Sequence, residues 1–206
     1  VIGGTGNIGA PIVERLKVNG QVDVLVGSRN ANPNRGIMKN NEAAAKADIV
    51  IVTVPADVFR STVEQIAPVL KPGATVLSIG VPMAKEGNKL VYKAPVGFNS
   101  AAEEVAAIIA EKAPGKDIKV VAGMHNVPGE WYEDEALFLN QQIMVSGDDQ
   151  QACSLVCENV ISQISGLGWV IAGRLAESKY SESLTRAIIA SKKELLAPGS
   201  RPLSEL

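Results

Sequence analysis

Val1-Ile2-Gly3-Gly4-Thr5-Gly6-Asn7-Ile8-Gly9 opens the chain and decides its fold. Two apolar residues lead into a glycine-rich turn, and Ile8, Ile12, Val13 and Leu16 then recur at helical spacing. Strand, tight turn and helix N-terminus follow one another, which is the start of a βαβ unit. In such a unit Gly4 and Gly6 permit the turn and the close approach of a pyrophosphate, while Gly9 lets the helix lie near the strand. The free N–H groups at the head of the helix attract the anion. Gly4, Thr5, Gly6, Asn7, Ile8 and Gly9 are therefore the first candidate binding residues.

The same stretch satisfies G-x-x-G-x-x-G through Gly3, Gly6 and Gly9, the spacing of short-chain dehydrogenases. Their chemistry uses a Tyr-x-x-x-Lys pair. None of Tyr92, Tyr132 and Tyr180 has a lysine four residues on, so that reading is set aside.

The first helix is predicted from Ile8 to Val18, stopping at Asn19-Gly20, and a second strand from Val22 to Val26. That strand runs into Gly27-Ser28-Arg29. An acidic residue at this strand end accepts from the ribose 2′-OH of NAD, whereas a hydroxyl and a guanidinium suit the 2′-phosphate of NADP. Ser28 and Arg29 thus predict NADP. Only the polar turn Asn30 to Gly36 separates this strand from Ile37-Met38. A parallel crossover usually needs about 10–12 residues or more. The second crossover helix is therefore either lost from the fold or outside the sequence in hand. Arg35 is a further cation whose distance from Arg29 stays open.

Composition limits the alternatives. The 206 residues carry 20 Lys plus Arg against 22 Asp plus Glu, with no basic excess to mark a nucleic-acid or membrane-surface binder. Phosphate affinity has to be local. No apolar run approaches the ~20 residues of a membrane span and no signal peptide precedes the first strand, so a cytoplasmic location is expected. The chain starts inside a strand and without Met, and the first strand is expected to be longer than it looks. Cys153 and Cys157 lie four apart in a helical pattern and read as small core residues, and a single histidine argues against a His-based metal site.

Further along, Asn41 to Ala47 is a short helix, and Ile49 to Val54 is a β-branched run suited to a central parallel strand. Thr53-Val54-Pro55 ends it at the carboxyl edge, where open α/β sheets bind ligands. Asp57 can cap the next helix, Ala74 to Ile79 is a strand, and Gly80 to Gly97 reads as a loop with Lys85, Lys89 and Lys93. That loop is a lid or substrate loop, or simply a solvated one. Ser100-Ala101-Ala102-Glu103 is a capping box opening a helix to Lys112, and Ile118 to Ala122 is the next strand. Gly123 to Trp131 forms a loop with His125; Gln142 to Ser146 and Trp169 to Ala172 are strands around a helix from Gln150 to Ile164. A final helix covers Leu175 to Leu196. The expected architecture is α/β, a Rossmann-type doubly wound parallel sheet. Residues 1–124 would form the NADP-binding domain and residues 125–206 a smaller C-terminal α/β domain completing the substrate pocket.

Taken in order, Gly3 to Gly9, Gly27-Ser28-Arg29, Met38-Lys39-Asn40, Thr53-Val54-Pro55, His125-Asn126-Val127-Pro128, Ser146 to Asp149 and Glu182-Ser183-Leu184-Thr185 resemble the NADP-dependent oxidoreductases of coenzyme F420, a deazaflavin. The resemblance covers nearly the whole chain. It implies reversible hydride transfer between reduced deazaflavin and NADP. It also implies that Thr5, Gly6, Asn7 and Ile8 hold the pyrophosphate and that Ser28 with Arg29 holds the 2′-phosphate. Val54, Met83 and Gly129 would touch the nicotinamide half, with Thr53 and Pro55 beside it, and His125, Val127 and Pro128 would flank the stacked rings. The segment after Arg29 is shorter than in that family, with Pro33 where a lysine would fall, and Ala56-Asp57-Val58 lacks the aromatic and histidine of the archaeal pattern.

Direct transfer between two ring cofactors needs no side-chain nucleophile; the protein stacks the rings and excludes water. His125 is the one candidate catalytic residue, able to hydrogen-bond a ring carbonyl or hydroxyl or else only loop backbone. Other readings are an NADPH-dependent reductase of another flavin or of a small imine or carbonyl substrate, and a non-catalytic NADPH-sensing module. The last helix either closes the substrate pocket or packs across a two-fold axis, and the resemblance implies a homo-oligomer, expected as a dimer.

Overall fold

The structure is a computed structural model describing residues 1–87, 89–127 and 141–195, with side chains through residue 188. Its strands are β1 (Val26–Ser28), β2 (Ile37–Lys39), β3 (Ile49–Val52), β4 (Thr75–Ser78), β5 (Met83–Glu86), β6 (Lys89–Tyr92), β7 (Lys119–Ala122), β8 (Gln141–Gly147) and β9 (Leu167–Gly173). The helices are α1 (Gly9–Asn19), α2 (Asn40–Lys46), α3 (Ala56–Ile66), α4 (Ala101–Lys112), α5 (Gln150–Val156) and α6 (Ser178–Leu195).

Ile2 is the hinge of the main sheet, bridging Gly27 on one side and Val52 on the other, both in parallel. Outward from it β1 pairs with β2, and in the other direction β3, β4, β7, β8 and β9 follow in order. All pairings in this sheet are parallel except β7 with β8. Successive residues of a strand point to opposite faces. Accordingly Ile51 joins a cluster with Ile12, Val13 and Leu16 of α1 and Ala152, Cys153 and Val156 of α5. Val50 and Val52 join another with Phe59, Val63 and Ile66 of α3 and Val105 and Ile108 of α4. Helices on both faces make the sheet doubly wound, as expected, and strands on both sides of residue 124 share it.

The strand after α1 starts later than its sequence suggests. Val22 and Val24 are only half-buried and lie outside β1. The pairing seen there runs from Leu25 on: Val1 N–H donates to the Leu25 carbonyl and Gly27 N–H donates to that of Val1. α1 itself ends as predicted, on Gly20 at φ +66°.

β1 and β2 are parallel neighbours with no helix between them. Residues 29–36 suffice because both strands are three residues long, so the return covers roughly 10 Å, well within the reach of the link. Asn32 and Ile37 exchange both backbone bonds around a single 3-10 turn at Pro33–Arg35.

Three other readings change. The segment predicted as a lysine-bearing loop holds an antiparallel hairpin, β5 with β6, in which Met83 faces Tyr92. Asp57 sits in the first turn of α3, whose N-cap is Pro55 with no side-chain cap bond. The helix predicted to reach Ile164 is α-helical only to Val156 and continues as a π turn from Cys157 to Ile161. Cys153 and Cys157 are buried free thiols, and burial raises both, Cys157 to about 11.

Candidate active site at the carboxyl edge of the sheet

The glycine turn lies over the carboxyl ends of β1 and β3. Gly3, at φ +77°, is the residue that needs left-handed backbone, one position ahead of the pair Gly4 and Gly6 singled out by the motif. A Cβ on Gly3 would stand 2.8 Å from Val54 Cγ1, so the turn packs directly against Thr53-Val54. Thr53 is buried and donates its hydroxyl to the Ile2 carbonyl at 2.7 Å. Asn40, at the start of α2, accepts from Gly3 N–H through Oδ1 at 3.4 Å. The turn is thus gripped from both neighbouring strands.

α1 begins at Gly9 with Ile8 as N-cap and no side-chain cap bond. A cap is worth about 1 kcal/mol. Burial of Ile12, Val13 and Leu16 contributes roughly 5 kcal/mol or more, so the helix forms without it. Thr5, Gly6 and Asn7 are exposed in front of it, which leaves the helix head open to an anion. Beside them Thr5 Oγ1 lies 3.0 Å from Ser28 Oγ, which also accepts from Asn30 N–H at 3.3 Å. Arg29 is exposed next to this pair and makes no ion pair among the described residues. Open helix head, paired hydroxyls and an uncommitted guanidinium fit the pyrophosphate and 2′-phosphate of NADP.

The second half of the site is built from the loop after β7 and the head of α6. Met124 is buried at φ +61°, a conformation held in place by its surroundings, and it delivers His125 into the interior at 5% exposure. His125 Nδ1 is 3.3 Å from Ser181 Oγ, and that hydroxyl donates to the Ser178 carbonyl at 2.9 Å. With its proton committed there, the Ser181 hydroxyl is placed to accept from Nδ1–H. Burial pushes the imidazole down to about 4, weakly opposed by the Ser78 backbone carbonyl, so it is neutral at pH 7. Thr185 donates to the His125 carbonyl at 2.9 Å.

His125 Nε2, Ser178 Oγ and Ser78 Oγ are buried and have no hydrogen-bond partner among the described residues. Such orphans call for an explanation, because a buried polar group without a partner costs about 1–3 kcal/mol. They suit a planar ligand with its own donors and acceptors at this edge.

Glu182 ties α6 to the rest. Fully buried, it accepts from Ala101 N–H at 2.9 Å and Ala102 N–H at 3.2 Å, the head of α4, and lies 3.2 Å from the Tyr92 hydroxyl. Ser100 caps the same helix by accepting from Glu103 N–H at 3.1 Å, while Glu103 reaches past the expected capping-box partner to Asn99 N–H at 2.8 Å. Burial outweighs these donors and raises Glu182 to about 7. Its folded value lies above the unfolded one, so the stability it adds is complete below pH 4.5 and lost as pH rises through 7. The variant E182Q does not titrate, and it should therefore gain roughly 2–3 kcal/mol on the wild type between pH 4.5 and pH 7.5. Melting temperatures of both proteins across that range test this, and parallel curves would refute it.

Of the residues predicted from sequence, the structure joins Thr5 to Ser28 and packs Gly3 and Gly9 against Thr53. Val127 is buried two residues past His125, Pro55 heads α3, and Met83 stands apart on the hairpin. Pro128 and Gly129 lie outside the described residues. Sequence reasoning passed over Asn40, Ser178, Ser181 and Glu182. The only signal for them was their place in or beside the Met38-Lys39-Asn40 and Glu182-Ser183-Leu184-Thr185 stretches.

The family described as NADP oxidoreductase, coenzyme F420-dependent, matches residues 1–82. The F420-dependent NADP reductase of Methanocaldococcus jannaschii is 30% identical across 92% of this chain and 89% of its own. That of Methanothermobacter marburgensis is 25% identical with the same coverage. A solved structure from Arthrobacter sp. FB24, named as a candidate F420-dependent NADP reductase, superposes with a TM-score of 0.74 at 17% identity. It covers 93% of this chain and 91% of its own, a likeness of fold.

Proposed function

Because the chain belongs to the family of coenzyme F420-dependent NADP oxidoreductases, we propose that it transfers a hydride reversibly between NADP(H) and the deazaflavin coenzyme F420. The observation that carries the site assignment is the pair of unmet needs on one sheet edge: an open helix head beside Ser28 and Arg29, and the orphaned His125 Nε2 and Ser178 Oγ. When bound, the nicotinamide and deazaflavin rings supply the chemistry themselves, exchanging the hydride directly.

The chain's own residues bind, orient and keep water out. Thr5, Gly6, Asn7 and Ile8, with Gly4 and Gly9 shaping the turn, hold the pyrophosphate, and Ser28 and Arg29 hold the 2′-phosphate. Thr53, Val54, Pro55 and Met83 line the nicotinamide side, with Gly129 from the loop beyond. His125, Val127 and Pro128 border the deazaflavin, where neutral His125 hydrogen-bonds a ring carbonyl or hydroxyl and Ser178 offers its hydroxyl. Residues 125–206 act as the part that completes the deazaflavin pocket, and the protein works in the cytoplasm as a homodimer. The half-exposed Leu184 on α6 suits packing across a two-fold axis, which light scattering tests.

Direct transfer has a specific consequence. NADPH deuterated at the transferred position of C4 should pass its label to the deazaflavin ring without loss to water, read by mass spectrometry. Loss of the label to solvent would exclude ring-to-ring transfer.

A further inference from the structure

Lys39, one residue of the Met38-Lys39-Asn40 stretch, has no role assigned in the site described so far. It ends β2 in register with Ser28 at the end of β1, so the two stand side by side at the carboxyl edge. Its Nζ reaches over to the Arg29 carbonyl at 3.1 Å. The contact is with a neutral oxygen, and Lys39 makes no ion pair among the described residues. Glu42, the acidic neighbour on α2, spends a carboxylate oxygen on the Lys39 backbone N–H at 3.2 Å. An exposed ammonium without a countercharge therefore stands one strand away from the Thr5–Ser28 hydroxyl pair. The short link of residues 29–36 brings this about, since no helix intervenes between the ends of β1 and β2.

We propose that Lys39 is a specificity-determining residue, giving the 2′-phosphate of NADP a second cation beside Arg29. The inference rests on the assignment of Ser28 and Arg29 to that phosphate. A phosphate dianion offers several strong acceptors, and Arg29 alone leaves part of its charge unmet; an ammonium on the next strand approaches it from the other side. NADH, lacking the phosphate, gives Lys39 nothing to bind.

Direct binding titrations of NADPH and NADH, read by nicotinamide fluorescence, test this on the wild type, K39M and R29A. K39M keeps the aliphatic stem on an exposed position and removes the ammonium together with its hydrogen bond to the Arg29 carbonyl. It should weaken NADPH about tenfold and change NADH less than about twofold. If R29A discriminates between the cofactors while K39M leaves both unchanged, or weakens both alike, the role of Lys39 is refuted and the 2′-phosphate assignment stands. If R29A also fails to discriminate, that assignment falls and Lys39 with it.

Discussion

In the Gly9→Ala variant, NADPH affinity is expected to fall about a hundredfold in a protein roughly 2–3 kcal/mol less stable than the wild type. A Cβ at residue 9 would overlap the Gly3 carbonyl, stand 2.5 Å from Thr53 Oγ1 and approach Gly4 Cα at 2.8 Å. None of these can give way cheaply. Two belong to the backbone of the turn, and Thr53 Oγ1 is held by the Ile2 carbonyl. α1 would have to lift off the sheet, taking its open N–H groups away from the pyrophosphate. Gly6→Ala is the control for stability alone, since its Cβ would meet only the Gly3 carbonyl at 3.3 Å. Urea midpoints and NADPH titrations of both variants measure the effect, and a Gly9→Ala protein with native affinity would contradict the packing described.

Arg29→Ala should weaken NADPH by about 1.5–3 kcal/mol through loss of charge-assisted hydrogen bonds and leave NADH nearly unchanged. The guanidinium is exposed and has no ion pair among the described residues, so its removal breaks nothing in the fold. Equal losses for both cofactors would remove the reason for assigning Ser28 and Arg29 to the 2′-phosphate.

What could be read from the sequence was what depends on local rules. The glycine turn, the C-cap at Gly20, the Ser100 cap and the Asp149 cap, which accepts from Ala152 N–H at 2.8 Å, each follow from a few adjacent residues. The buried run Ile49 to Val52 announced a central strand because both of its faces are covered. The β5–β6 hairpin escaped because its lysines and glutamate carry no β-strand signature. It is held partly from outside, by Arg186 of α6 donating to the Leu90 carbonyl at 3.3 Å.

The candidate site divides along the same line. Ser28 and Arg29 are contiguous and follow a recognisable unit, so their proximity to Thr5 was legible. Ser178, Ser181 and Glu182 come near residues 101, 102 and 125 only after α6 folds across the sheet edge. No periodicity in α6 distinguishes a serine that faces His125 from one that faces water. Lys39 was visible only as one letter of a motif, because its value comes from a strand register that depends on the missing crossover helix.

The central claim is that this sheet edge couples NADPH to coenzyme F420. The measurement that tests it most directly is the visible absorbance of oxidised coenzyme F420 after NADPH is added to the protein. The expected result is rapid bleaching with NADPH, much slower bleaching with NADH, and recovery of the band when excess NADP is supplied. An unchanged band while FMN or an imine is reduced instead, or while NADPH binds with no acceptor reduced at all, would contradict it.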